Sequence, residues 1–208
     1  MRILIACEYS GRVRDAFAKQ GHTAVSCDLR PTESPNGWHI TGDVLDVLGG
    51  GWDMLIGHPY CTYNCLSGIR WMYHPNDTEL PAEQRRRHPA YPNRMQDFEA
   101  GAAFFNALKN SGIKKICLEN SQPHGLAMSR IGRYTQAVQP WMFGDAVTKG
   151  AYLWLDGLPP LVPTHRKSDF EKIYADCHMT SPGPDRERER SRTRQSIADA
   201  MAEQWGQA

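Results

Sequence analysis

The apolar positions in the first half of the chain fall into short continuous runs, each followed by a polar stretch carrying glycine. "RILIAC", Arg2 to Cys7, predicts a first strand, and residues 11–21 follow with Val13, Ala16 and Phe17 at helical spacing. "HTAVSCD" predicts a second strand that ends on Asp28, and residues 30–40 read as a turn-rich loop. "GDVLDVLGG" opens on an acid and closes on glycines, and "WDMLIG" is a fourth apolar strand. Residues 69–92 are too polar and proline-rich for a core element and read as a mobile or substrate-covering loop. Met95, Phe98, Ala102, Phe105 and Leu108 then stripe a helix over 93–112, and "IKKICLEN" is a strand that terminates in Glu119. Beyond Asn120, "YTQAVQPWMFG" and "GAYLWLDGLPPL" predict a helix followed by two strands. A largely irregular stretch leads to a closing amphipathic helix with Ile197, Met201 and Trp205 on one stripe.

Strands alternating with helices in short units predict an α/β fold: one domain with a mostly parallel sheet and helices on both faces. In such sheets ligands bind beyond the carboxyl ends of the strands. Glu8, Asp28, Asp43, Cys61 and Glu119 each fall at or just after a predicted strand end. One such residue is an ordinary cap, whereas five at one edge point to a site.

Composition changes this picture little. Of 208 residues, 40% are hydrophobic and 23% charged, the range of an ordinary soluble domain. A mean hydropathy of -0.57 and the lack of a long apolar run argue against a membrane span. A strand begins at once, so no leader is expected and the cytoplasm is the default location. The net charge of +1 selects no partner, although "EQRRRHPAYPNR" and "DRERERSRTR" are basic clusters, either solvated loops or phosphate contacts. The six cysteines show no dense disulfide spacing and are expected to be reduced.

Cys61 is the sharpest candidate for chemistry. It follows Gly57-His58-Pro59-Tyr60 at the end of a strand, in a loop of Thr62, Tyr63, Asn64 and Ser67. It is either a small buried hydrophobe or a nucleophilic thiol, which needs partial exposure and a lowered pKa. Cys7, Cys65 and Cys117 lack that context. A zinc site from His58, Cys61, Cys65, Cys177 and His178 is a weaker alternative, because paired C-x-x-C spacings are missing. Glu119, desolvated at a strand end, could hold a proton at neutral pH. "EYSG", Glu8 to Gly11, sits in the first strand-to-helix turn, where helix N–H groups could meet a ligand. Asp28 is placed to accept from ribose hydroxyls and Asp43 from an adenine amino group. With no P-loop motif present, these describe a nucleoside-containing cofactor.

In order along the chain, "YSG", "GHPYC", "ENS" and "RERERSR" resemble motifs of the cytosine-5 DNA methyltransferase family. The resemblance implies a Rossmann-like S-adenosylmethionine-dependent methyltransferase fold and S-adenosyl-L-methionine as cofactor. It further implies that Cys61 adds to carbon 6 of cytosine while Glu119 protonates or hydrogen-bonds the ring, so that carbon 5 takes the methyl group. By the same resemblance Arg188 and Arg190 join the catalytic set, and Arg192, Asn120 and Ser67 contact the substrate. Tyr9, Ser10, Gly11, Asp28, Asp43, His58 and Pro59 then hold the cofactor. Where the family has proline and glutamine around the nucleophile, this chain has Tyr60 and Thr62, and Val13 replaces a glycine of the cofactor turn. The arginine motif runs straight into the last helix, with no target-recognition domain between them, which predicts a compact core of the bacteriophage or prophage kind. Specificity then falls to the loop after Trp71 or to a partner protein. The substrate is DNA or another deoxycytidine-containing molecule, single-stranded nucleic acid and free nucleotide included. A related pyrimidine-modifying enzyme and an inactive cofactor-binding homologue are the competing readings.

Overall fold

The structure, a computed structural model, describes residues 1–175, Gly183 and residues 186–207. Its centre is a seven-stranded sheet. Strands β1 (Arg2–Ala6), β2 (Thr23–Asp28), β3 (Trp38–Thr41), β4 (Met54–Gly57) and β5 (Lys115–Asn120) run parallel, in the spatial order β3-β2-β1-β4-β5. Strand β6 (Gln136–Val138) lies at the far edge. A two-residue strand, β7 (Val147–Thr148), precedes β8 (Ala151–Asp156), which runs antiparallel between β5 and β6. A short β9 (Tyr174–Ala175) pairs with β7 in a separate two-stranded sheet. The protein is therefore a mixed α/β fold with a mostly parallel, Rossmann-like sheet.

The central strands are apolar on both sides because both faces are covered, as parallel sheets require. Helix α1 (Arg12–Lys19) lays Val13, Ala16 and Phe17 on one face, against Ile3, Ile5, Met54 and Ile56. Helices α2 (Arg94–Lys109) and α3 (Gly125–Ile131) cover the other face, packing Phe98, Phe105, Leu108 and Ile131 on Leu4, Leu55 and Leu118. Helix α4 (Arg186–Ser191) carries the arginine run, and α5 (Gln195–Trp205) returns to lie beside α1. Its stripe of Ile197, Met201 and Trp205 is buried as its spacing predicts.

Several elements differ from the sequence expectation. The third strand comes from the end of the stretch read as loop, and "GDVLDVLGG" forms a 3-10 turn over Val44–Val47. Strand β3 is a mostly exposed edge, so it carries no apolar run to betray it. "YTQAVQPWMFG" is not a helix. Its Gln136–Val138 pairs with β8, and Pro140 starts a 3-10 turn where a helix would need a backbone N–H. The short α3 was absent from the expectation, having only Ala127 and Ile131 buried. Residues 69–92, expected as a mobile or substrate-covering loop, contain three 3-10 turns and an ion pair between the buried Asp77 and the exposed Arg86. Arg86 holds the Asp77 carboxyl down to about 2.

Trp205 is the largest fully buried side chain, and its Nε1 donates to the Pro159 carbonyl at 2.9 Å. Trp205→Ala is expected to lower unfolding stability by about 3–5 kcal/mol, read from urea midpoints at constant m-value.

Candidate active site

The chain proceeds to one side of the sheet from β1 and to the other from β4, so the switch point lies between their carboxyl ends. Cys7 leaves β1 in the left-handed region at φ 58, where a non-glycine residue costs roughly 1–3 kcal/mol. This twist aims the N–H groups of both Cys7 and Glu8 at the Cys27 carbonyl, at 2.7 and 3.3 Å. Glu8 is buried and accepts from the N–H of Val13 at 2.8 Å, the N–H of Arg14 at 3.2 Å and the Ser10 hydroxyl at 3.1 Å. The helix N–H groups that the sequence offered to a ligand are thus capped from within. A side chain at Gly11 would meet Arg14 Nη2 at 2.6 Å and Ser34 Cβ at 2.8 Å, so its openness serves the chain's own packing.

Asp28 ends β2 and accepts from the Arg30 N–H at 2.9 Å, and Asp43 accepts from the Leu45 N–H at 3.0 Å. Burial raises the Cys7 thiol above its ordinary range, and Asp28 and Asp43 push it further the same way. The Tyr60 hydroxyl is raised by burial first and then by Cys7, Asp28 and Asp43. The two carboxylates therefore face the same ground above β1, β2 and β4. A cofactor with ribose hydroxyls, an exocyclic amine and a sulfonium cation offers donors and positive charge, which suits this acceptor set.

A cleft of about 60 Å³ opens between Cys7–Ser10, His58 and Ser191–Thr193. Tyr9 forms one wall, its hydroxyl bonded to the Arg188 carbonyl at 2.5 Å and to the Ser191 hydroxyl at 2.8 Å. Arg188 and Arg192 both bind Glu33, whose own N–H donates to the Tyr9 carbonyl. The Arg192 and Arg188 hydrogen bonds hold the Glu33 carboxyl below its ordinary range. The structure thus gives these two arginines an anionic partner on the loop between β2 and β3, while Arg190 is exposed.

The nucleophile loop is built across the ends of β4 and β5. His58 Nδ1 and Glu119 Oε2 lie 3.1 Å apart, and the other ring nitrogen, Nε2, is buried without a partner among the described residues. Burial would lower the His58 pKa, but the hydrogen bond and charge of Glu119, with Glu8 behind, outweigh it and raise it. Asn120 is buried and donates through Nδ2 to the Pro59 carbonyl at 3.2 Å, tying β5 to the approach to Cys61. The loop then makes one helical turn, with the Cys65 N–H donating to the Cys61 carbonyl at 3.0 Å. Cys61 is exposed at the surface of that turn and Cys65 is buried inside it. The Cys61 thiol neighbours the side chains of Cys65 and Ser121 and feels the charge of Glu119. Ser67, expected on the substrate, lies 3.2 Å from the Cys65 sulfur.

The two thiols titrate as a pair. Hydrogen bonding to Cys61, then to Ser67 and to the N–H groups of Gly68 and Ser67, lowers the Cys65 thiol below its ordinary range. The neighbouring Cys65, and the charge of Glu119 after it, raise Cys61. Sequence reasoning thus brought Cys61, Glu119 and Asn120 to one place, yet passed over Cys65, Ser121 and the pairing of His58 with Glu119. The four-residue spacing of Cys61 and Cys65 was the available signal. Among the described residues no cluster of three or more histidines, cysteines or acids could hold a metal, and Cys177 and His178 lie outside them. No described helix is long and apolar enough to cross a membrane.

No protein-family model matches the chain, and no curated protein matches it. Among solved structures, it is similar to a protein described as a DNA modification methyltransferase encoded within a prophage of E. coli. The TM-score is 0.44 at 13% identity, over 74% of this chain and 45% of that one. It is also similar to a methyltransferase of Entamoeba histolytica, with a TM-score of 0.44 at 12% identity, over 86% of this chain and 62% of that one. The chain therefore spans less than two thirds of either.

Because the folded His58 pKa lies above its unfolded value of about 6.5, its stabilisation is complete below that pH and lost as pH rises through the folded value. His58→Asn is expected to flatten the decline in urea midpoint on the alkaline side of about pH 6.5. Glu33 has the opposite sign: its lowered carboxyl stabilises above about pH 4.3 and that contribution fades as pH falls further. Glu33→Gln should free α4, seen as faster amide exchange over Arg188–Arg192 at neutral pH.

Proposed function

We propose that the chain is an S-adenosylmethionine-dependent methyltransferase acting on carbon 5 of cytosine in DNA, with Cys61 as nucleophile. The observation that carries this reading is an exposed thiol just past the carboxyl end of β4, near Ser121 and the half-buried His58–Glu119 pair. Cys61 adds to carbon 6 and the ring's π electrons move toward carbon 5 and the ring nitrogen. The His58–Glu119 pair meets that developing negative charge with its shared proton, a task the resemblance assigns to Glu119 alone. Bound S-adenosylmethionine supplies an electrophilic methyl group. Asp28 and Asp43 receive the cofactor's hydroxyl and amine donors, and Tyr60 lines the same space. A base, such as a solvent water, takes the carbon-5 proton, and the C–H electron pair restores the double bond and expels the Cys61 thiolate.

A polyanionic substrate suits the neighbourhood. Arg94 donates to the Thr62 carbonyl at 2.6 Å, one residue from Cys61, and Arg70 stacks on the half-exposed Trp71 in the adjoining segment. Cations and aromatic faces side by side suit single-stranded or flipped-out bases.

DNA containing 5-fluorocytosine should form a stable covalent adduct in the presence of cofactor, abolished by Cys61→Ala and mapped to Cys61 by mass spectrometry. Run in parallel on duplex DNA, single-stranded DNA, RNA and deoxycytidine nucleotides, the assay also identifies the substrate. Binding of S-adenosylhomocysteine with no adduct on any of them would overturn the reading. Asp28→Ala should weaken S-adenosylhomocysteine binding by about tenfold or more in calorimetry, the loss of a hydrogen bond to a charged acceptor.

A further inference from the structure

Residues 69–94 take no part in the covalent chemistry, yet they are firmly built. Two stretches of the segment run side by side. Tyr73 bridges to Arg87, the His74 N–H donates to the Arg86 carbonyl at 2.9 Å, and the His88 N–H donates to the Met72 carbonyl at 3.3 Å. Asp77 closes the far end, accepting from the Arg86 N–H at 2.8 Å and from its guanidinium at 2.6 and 3.0 Å. Met72 anchors the near end, buried in the same apolar cluster as Phe98 and Leu118. A segment tied at both ends holds its surface side chains in place before any ligand arrives.

What it holds is an aromatic patch edged with positive charge. The rings of Trp71, His88 and Tyr91 lie 5.1 to 5.4 Å apart, each touching the other two. His88 is buried beneath, whereas Trp71 is 37% and Tyr91 46% exposed. The Arg70 guanidinium lies 4.8 Å from the Trp71 ring. Residues 69–94 carry five arginines against three acids, and one of those acids, Asp77, is already paired with Arg86. Arg70, Arg87 and Arg94 have no carboxylate partner among the described residues. Arg94 also joins the patch to the nucleophile loop. Its guanidinium lies 4.5 Å over Tyr63, Nη2 holds the Thr62 carbonyl, and its buried Nε has no partner.

We infer that this surface binds single-stranded DNA. Bases flanking the target stack on Trp71 and Tyr91, and their phosphates meet Arg70, Arg87 and Arg94. The inference rests on Cys61 acting on a cytosine within a nucleic acid. Exposed aromatic rings beside unpaired guanidinium groups serve the two faces of one ligand, an apolar base and its anionic phosphate. A duplex can satisfy only half of this, because its base faces are hidden in the stack and only its phosphates reach the arginines. The segment therefore selects the single strand and holds the nucleotides next to the one that Cys61 attacks. Stacking is tolerant of sequence, since every base has a π face, so the platform gives affinity without a recognition sequence.

The test is fluorescence anisotropy with a labelled cytosine-containing strand of about 12 nucleotides, single or annealed to its complement, without cofactor. The single strand should bind at least about tenfold tighter than the duplex, and it should quench tryptophan fluorescence. Trp71→Ala and Tyr91→Ala should each weaken single-strand binding by about tenfold, the loss of one stacked base. Trp71→Phe, which keeps a ring, should retain most of the affinity and lose the quenching. Arg70→Gln should reduce the slope of log affinity against log salt by about 0.7, one phosphate contact. Thermal unfolding of each variant confirms that it is folded. Duplex binding as tight as single-strand binding, or unchanged affinity in folded Trp71→Ala and Tyr91→Ala proteins, overturns the inference. The readout needs no methyl transfer, so the two ideas fail separately. Single-strand binding lost with Trp71 but no fluorocytosine adduct would sink only the methyltransferase reading. An adduct formed equally on both DNA forms, and unaffected by Trp71→Ala, would sink only the platform.

Discussion

The parallel register of β4 and β5, in which Gly57 sits opposite Leu118, is the constraint on which the rest of the site depends. A Cβ at Gly57 would come within 2.7 Å of Leu118 Cδ2, so a larger residue there would require the leucine side chain to shift. The next residue on each strand is then His58 and Glu119, and they meet at 3.1 Å. Shifting either strand by one residue would turn its side chains to the opposite face and part the pair. Strand β8 holds β5 from its other side, with Glu119 opposite Leu153, so the register is pinned twice. Asn120 adds the final tether by binding the Pro59 carbonyl, which leaves the chain little freedom before Cys61.

That geometry yields a nitrogen–oxygen pair at the sheet edge, with two thiols on the turn that follows. At His58 and at Cys65, burial and a specific partner pull in opposite directions, and the partner decides the sign. Burial alone would neutralise His58, and it would raise Cys65. Glu119 reverses the first, and Cys61, Ser67 and two backbone N–H groups reverse the second. A covalent mechanism on a pyrimidine needs a donor that answers charge on the ring, a task that suits the His58–Glu119 pair.

The parts of the fold that were legible in the sequence are the ones whose burial is continuous. Strands β1, β2, β4 and β5 and helices α1, α2 and α5 have apolar runs or stripes long enough to show a period. Strand β3, strand β6 and α3 are short or half-exposed and take their structure from pairing or packing, which leaves little local trace. The site divides in the same way. Cys61 and Glu119 stood out by position at strand ends. The internal capping by Glu8, the burial of Arg14 among the Asp15, Ser26 and Ser34 oxygens, and the clasp of Arg192 by Glu33 were invisible, the last because 159 residues separate its partners. A run such as "RERERSR" looks solvated until the fold brings a carboxylate to it.

His58 links the two halves of this edge. One ring nitrogen faces Glu119 and the nucleophile side, while the residue also lines the small cleft with Glu8, Tyr9, Ser10 and Thr193. Its second nitrogen is buried and unpaired, and in a well-packed protein such a group marks a place where a polar atom from outside belongs. That nitrogen suits a water or a polar atom on a bound molecule. Occupation of the cleft would then bear on the same ring that shares its other proton with Glu119. The histidine placed on the cofactor side by resemblance is thus, in physical terms, a wall common to both sides.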